Sequence, residues 1–399
     1  MSGIKRENSK AFLLLLLGML TAFGPFVTDM YLPSLPSMAD YFSTSSSMVQ
    51  LGLTTSMAGL ALGQIFFGPL SDKYGRRPLL LSSMLLFIVS TLLCLYAPDI
   101  YSFVALRLIQ GIAGAGGIVI SRSVATDKFS GKELAKMLAV IGAINGVAPV
   151  AAPVVGGLLT GALGWKGIFV VLLIIGLILG VSCICFKESL PKEKRSKAGV
   201  FATFLSFGKI VRNRRYMFYV LQLAFAQGIL FANIASSPFI VQEHYGFSPL
   251  GFSICFAVNA IAIGVAAALS VKFRKLENGT LTGCIGMVLF AVMEMVALYN
   301  GCNFWIYELL LFALLFMMGL TFTTSTILAM DCERQYAGAA SALLGALCFA
   351  SGGIVSPLVG LGDILTSTGI AFVVCAVCSL LCVLWTFKKE TVKLAVSPV

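Results

Sequence analysis

Apolar runs of about 20 residues, the length a membrane-crossing helix needs, recur along the chain near 11–33, 48–70, 79–97, 102–124, 136–161 and 167–187. They recur again near 214–237, 250–271, 280–300, 304–327, 336–360 and 367–387. As helices rising about 1.5 Å per residue, each can cross a hydrocarbon core of about 30 Å. No segment alternates apolar and polar positions as the strands of a transmembrane barrel would. The pattern predicts an all-α polytopic membrane protein of about twelve transmembrane helices. The opening "MSGIKRENSKAFLLLLLGML" resembles a secretory leader, but its apolar run continues to Pro33 without a convincing small-x-small site, and it is taken as the first span.

The longest polar interruption, "ESLPKEKRSKAGVFATFLSFGKIVRN" at 188–213, splits the spans six and six. It divides the chain into a first bundle (1–187), a central linker (188–213) and a second bundle with a short tail (214–399). "APVVGGL" at 152–158 returns as "SPLVGLG" at 356–362, which points to a duplicated half. Two such bundles about a pseudo-twofold axis along the membrane normal place a substrate cavity between them near the midplane.

Composition agrees, with 58% hydrophobic and only 11% charged residues. Of the 28 Lys and Arg, all but Arg107 and Lys166 fall in the N-terminal, even-numbered inter-helix and C-terminal segments. By the positive-inside rule both termini are cytoplasmic, and the net charge of +11 reflects loops held against an anionic leaflet rather than nucleic acid. Eleven cysteines and one histidine offer neither a disulfide framework on an oxidising side nor a metal site, and no catalytic constellation lies at one depth, so neither a cofactor nor an enzyme is expected. "CAVC" at 375–378 has redox spacing but falls mid-span, where small packing residues are expected.

Charges inside spans are few. Asp29, near the end of the first span, and Arg107, a turn into the fourth, lie at similar depth. They either pair, directly or through a neighbour, or snorkel to water. Glu294 and Glu308 are secondary candidates close to the outer surface. "GPLSDKYGRR" at 68–77 packs charge into a short loop: Gly68 allows close helix approach, Gly75 a sharp turn, and Asp72 can reach Arg76 beside Arg77. Gly111, Gly114, Gly116 and Gly117 are expected to form a smooth face on the fourth helix. Gly142, Gly146, Pro149, Pro153, Gly156 and Gly157 are expected to make the fifth helix kinked and closely packed.

Together "TDMYLPSLPSMADYF", "GPLSDKYGRRPLLL", "RLIQGIAGAGG", "GAINGVAPVAAPVVGGLL", "GWKGIF" and "SSPFIVQEHYGFSP" resemble, over nearly the whole chain, the major facilitator superfamily. Within it they resemble the bicyclomycin and chloramphenicol resistance (Bcr/CflA) branch of drug:proton antiporters. The resemblance implies that Asp29 and Arg107 take part in proton coupling. It implies that Asp72 and its basic neighbours join the bundles at the inner face when the cavity opens outward, and that 142–157 is the antiporter helix motif. The second-half counterpart of the charged loop is degenerate, so gating on that side has no residue assignment. Tyr31, Asn145, Gln227, Asn233 and Asn259 are candidate cavity residues, or else interhelical glue. The expected function is proton-coupled efflux of drug-like molecules by a monomer in a bacterial inner membrane, with small molecules, protons and lipid as partners. The alternative is export of an endogenous metabolite such as a sugar or nucleoside on the same fold.

Overall fold

The structure is a computed structural model that describes residues 8–195, 208–270, 272–333 and 337–396. Its helices are α1 (Lys10–Asp29), α2 (Ser46–Tyr74), α3 (Arg76–Leu95), α4 (Ile100–Lys128) and a continuous Gly131–Cys185 stretch. Gly164, at φ 68° and ψ −174°, breaks that stretch into two arms, α5 (131–163) and α6 (165–185). After the linker come α7 (Arg214–Phe239), α8 (Pro249–Ser270), α9 (Leu276–Tyr299), α10 (Phe304–Cys332), α11 (Ala337–Val359) and α12 (Ile364–Val396). With α5 and α6 counted apart, twelve long helices among the described residues match the apolar runs, the Gly164 break falling between the two spans expected over 136–187. Residues 196–207 of the linker lie outside the described residues.

Polar side chains start the helices where the runs meet polar sequence. Ser9, Ser45, Asp99, Asn213 and Asn303 each accept a hydrogen bond from the backbone N–H three residues on, filling one of the donors that a helix start leaves open. Between α1 and α2, a 3-10 turn (Leu32–Ser34) and a short helix (Leu35–Tyr41) fold back against the first bundle, where Tyr41, Phe42, Phe103, Trp165 and Phe169 pack edge-on and tilted in one aromatic cluster.

Within the first half α2 packs on α4, α3 on α4 and α6, and α1 on α4 and α5; within the second, α9 packs on α10 and α12, α10 on α8, and α7 on α11 and α12. The halves meet along α2 against α11 and α5 against α8. Apolar side chains also point outward, among them Leu85, Val181, Ile184 and Ile354, as lipid as a solvent requires. Close approach relies on missing side chains: a Cβ on Gly59 would meet the Leu108 carbonyl and one on Gly63 the Ile112 carbonyl. Gly68 is not such a site, since its Cβ would make an ordinary 3.7 Å contact with Val119. Nor do the α4 glycines form one smooth face. Gly111 abuts the Ser56 carbonyl of α2, Gly116 faces Ser83 of α3 and Gly117 faces Leu20 of α1. At about 100° per residue they spread around the helix and admit three neighbours.

The start of α1 and the end of α12 lie on one side, called here the terminal face; the α1–α2, α3–α4, α7–α8, α9–α10 and α11–α12 connections lie on the far face.

Candidate functional site

A cavity of about 580 Å³ lies between the bundles. On α1, Thr21, Gly24, Pro25, Thr28 and Asp29 line it, a stripe at three- and four-residue spacing that helix geometry places on one side. Leu60 and Gln64 of α2, Ile118 and Arg122 of α4 and Pro149 of α5 complete the first-bundle wall. The second bundle adds Gln227, Phe231 and Asn233 of α7, Phe256 and Asn259 of α8, Leu315 and Thr326 of α10, and Phe349 of α11. The result is mainly apolar with a few amides and two chargeable groups, Asp29 and Arg122, the kind of site that takes amphipathic organic molecules.

Asp29 is buried at the far end of α1. The Thr28 hydroxyl lies 2.7 Å from Asp29 Oδ1 and 3.1 Å from the Gly24 carbonyl, and its single proton can serve either. No ion pair to Asp29 forms among the described residues; in particular Arg107 does not pair with it directly. Arg107, fully buried, donates from Nη2 to the Val27 carbonyl at 3.0 Å and from Nη1 to Gln110 Oε1, and its guanidinium lies 4.3 Å from the centre of the Tyr31 ring. Gln110 Nε2 is held in turn by Thr91 Oγ1 at 2.7 Å. Val27 is one of the last four residues of α1, whose carbonyls lack an intrahelical partner, so the arginine caps the helix end that carries Asp29. The two groups are therefore linked through the α1 backbone and the Tyr31 ring.

Tyr31 accordingly packs beneath Arg107 and Phe169, not in the cavity wall, because the chain turns away from the cavity once α1 ends. Gln227, Asn233 and Asn259 do line the cavity. Gly142, Asn145 and Gly146 fall in α5 but outside the residues whose side chains are described. α5 runs on through Pro149 and Pro153, and the non-helical dihedral lies at Gly164 instead. A Cβ on Gly156 would strike the Met30 backbone and one on Gly157 the Pro249 carbonyl, so these glycines seat α5 against α1 and α8.

Beside the α5–α8 packing, two hydrogen bonds among the described residues join the bundles on the far side, each from a side chain to the backbone. Gln50 Nε2 donates to the Ala235 carbonyl at 3.0 Å, and Gln242 Nε2 to the Pro33 carbonyl at 3.1 Å. Toward the terminal face the cavity extends to Arg122, Thr326 and Ser341. There the 68–77 loop is tied into its own bundle. Gly75, at φ 104°, makes the turn that a side chain would strain. Buried Arg76 donates to Asp72 at 2.5 Å, Ser71 at 2.7 Å and Asp127 at 2.9 Å. The Glu188 carboxylate accepts from the Arg76 and Arg77 N–H groups at 3.0 and 3.2 Å, and Arg77 Nη2 reaches the Ile184 carbonyl at 2.8 Å. The inter-bundle contacts implied for Asp72 and its neighbours thus give way here to contacts within the first bundle. Asp127 and Glu188, missed in the sequence, were visible only as acidic residues at span ends otherwise crowded with lysine and arginine. Glu294 and Glu308 lie toward the far face but are not exposed. Glu294 is fully buried, and Glu308 Oε1 accepts from Asn259 Nδ2 at 2.9 Å.

The signature of the Major Facilitator Superfamily matches residues 14–357. The chain is 39% identical over 355 residues to the uncharacterized MFS-type transporter YdgK of Bacillus subtilis (strain 168), covering 87% of this chain and 88% of that one. It is 28% identical over 361 residues to the bicyclomycin resistance protein homolog of Haemophilus influenzae, covering 89% and 90%. Its fold matches a bacterial homolog of the human lysosomal transporter Spinster, solved in an inward-facing and occupied conformation, with a TM-score of 0.75 at 16% identity over 96% of this chain and 98% of that one. Twelve long helices among the described residues, a cavity between halves and a match that spans most of the chain agree: this protein is a multi-pass membrane transporter of the major facilitator superfamily and not an enzyme.

Proposed function

We propose that the protein exports drug-like small organic molecules in exchange for protons, as a monomer in a bacterial inner membrane with both termini cytoplasmic. The observation that carries this is Asp29: a carboxylate on the wall of an apolar cavity, with no cation paired to it among the described residues and a hydroxyl neighbour in Thr28. Such a group can hold a proton while the cavity is empty and give it up to a substrate that replaces it. Arg107, which stays charged, fixes the end of α1 and so the position of that carboxylate. The halves 1–187 and 214–399 rock as units about the cavity, with 188–213 as their tether, and the geometry here, sealed on the far side, is the inward-facing state. The proton gradient drives the cycle without a cofactor. The resistance named for the Haemophilus relative supports an organic antibiotic as the class of substrate.

The test is substrate-driven proton release from purified protein in liposomes, wild type beside Asp29→Asn, with chloramphenicol, bicyclomycin and cationic dyes as probes. Proton release in wild type that is abolished by Asp29→Asn is the expected result. Unchanged coupling in the variant refutes the role of Asp29; no proton movement with any drug turns the assignment to a metabolite exporter.

A further inference from the structure

Behind the cavity wall, in the second bundle, lies a separate void of about 10 Å³, the scale of a single water. Five polar atoms on its lining residues have no protein partner: Asn233 Oδ1, Ser237 Oγ, Asn259 Oδ1, Tyr307 hydroxyl and Glu308 Oε2. Four of these residues are more than nine-tenths buried. Native interiors rarely leave one buried polar group unpaired, and five around one small space mark a place where a polar species belongs. Asn233, Phe256 and Asn259 belong to both linings, so the two amides and one aromatic ring form the partition between the void and the central cavity.

Glu294 lies in the neighbourhood of Glu308 and Tyr307, is fully buried, and has no partner on either carboxylate oxygen. The other titratable groups facing this cluster are Tyr245, Cys255 and Cys302, none of them cationic, and none of the ion pairs among the described residues includes either glutamate. A buried carboxylate with neither counter-ion nor donor is stable only while it carries a proton. Glu294 is five residues from the far end of α9 and Glu308 four from the start of α10, about 8 and 6 Å along their helices. The cluster therefore sits between the far surface and the cavity, on the side where the bundles are sealed.

We propose that Glu294 and Glu308 form a second proton-binding site, in the second bundle, which exchanges protons with the central cavity through the polar void bounded by Asn233, Ser237, Asn259 and Tyr307. The site's use in transport rests on the proton-driven function above; its existence does not. In transport terms it gives the protein a proton store besides Asp29, so that each bundle carries one.

Infrared difference spectroscopy on protein in lipid vesicles, between mildly acid and mildly alkaline buffer, tests this in the Asp29→Asn background and needs no drug. The C=O band of a protonated, buried carboxylic acid is expected to persist there. Glu294→Gln or Glu308→Gln should shrink or shift it, and the double variant should abolish it. Glu294→Asp, which keeps a carboxylate, should retain a displaced band and controls for folding. Asn259→Leu, which removes the donor to Glu308, should displace the band and slow its exchange in deuterated buffer. A band absent from Asp29→Asn protein, or one indifferent to both glutamates, overturns the site. A band that responds to both glutamates but not to Asn259→Leu overturns the route. Absence of drug-driven proton movement in wild-type protein, with these bands intact, would instead count against the proposed function alone.

Discussion

Gly157 offers a measurable handle on the far-side seal. A Cβ there would lie 2.8 Å from the Pro249 carbonyl oxygen and 3.1 Å from Leu250 Cα, both backbone atoms of α8 that cannot swing aside. Ordinary carbon contacts begin at about 3.5 Å, so Gly157→Ala must push α5 and α8 apart by roughly half an ångström or more. Overpacking of this kind costs about 1–3 kcal/mol, and the cost falls only on the state in which α5 and α8 touch at this point. At about 1.4 kcal/mol per tenfold, the equilibrium moves some 5- to 140-fold toward the state open on the far side. Spin labels on Tyr101→Cys and Trp305→Cys, exposed far-face positions in opposite bundles, report it in a cysteine-depleted background as a longer distance population. Gly157→Ala protein that stays folded and monodisperse but keeps the parent distance distribution would refute the view that this glycine holds the seal.

Two further outcomes concern the faces. Asp127→Ala is expected to destabilise far more than Asp72→Ala: Asp127 shares a mostly buried pair with Arg76, whereas the Asp72 side chain is 53% exposed and its pair contributes about 0–1 kcal/mol. Thermal melts in detergent check the order, and equal shifts would sink it. At the far face, hydrogen bonds from the Thr366 hydroxyl and backbone N–H hold the Asp363 carboxyl below its usual range. A lowered pKa stabilises the folded state at neutral pH, and that contribution fades as pH falls through the folded value. The protection factor of the Thr366 amide, its exchange rate taken relative to an unstructured chain at the same pH, should fall on acidification in wild type and be low at every pH in Asp363→Ala; a pH-independent wild-type protection factor would be the contrary result.

How far the sequence reached can be told from individual residues. The twelve helices were legible because lipid demands long apolar runs and the chain supplies polar caps such as Ser45 and Asn303 between them. Asp29 stood out for the same reason: a carboxylate in an apolar run is costly and therefore conspicuous. Its relation to Arg107 was not legible, because depth along a helix gives height but not azimuth, and the arginine satisfies a backbone carbonyl that no residue pattern reveals. Tyr31 was misplaced because the register of α1 stops at Asp29, so helical spacing no longer tells where the next side chains point. Gly68 was credited with a close contact that Gly59 and Gly63 make, since a glycine's neighbour lies on another helix. Asp127 and Glu188 gain meaning only when folding brings residues 51 and 112 positions away from Arg76 to its side.

The acceptors in the far-side seal are backbone carbonyls, those of Ala235 and Pro33, while the donors are the side chains of Gln50 and Gln242. A carbonyl survives almost any substitution of the residue that bears it; a glutamine side chain does not. Mutational freedom on the two sides of each bond is therefore unequal. Substitution at positions 235 and 33 leaves the acceptor in place, whereas substitution at 50 and 242 removes the donor, so variation among related sequences should gather on the accepting side of the gate.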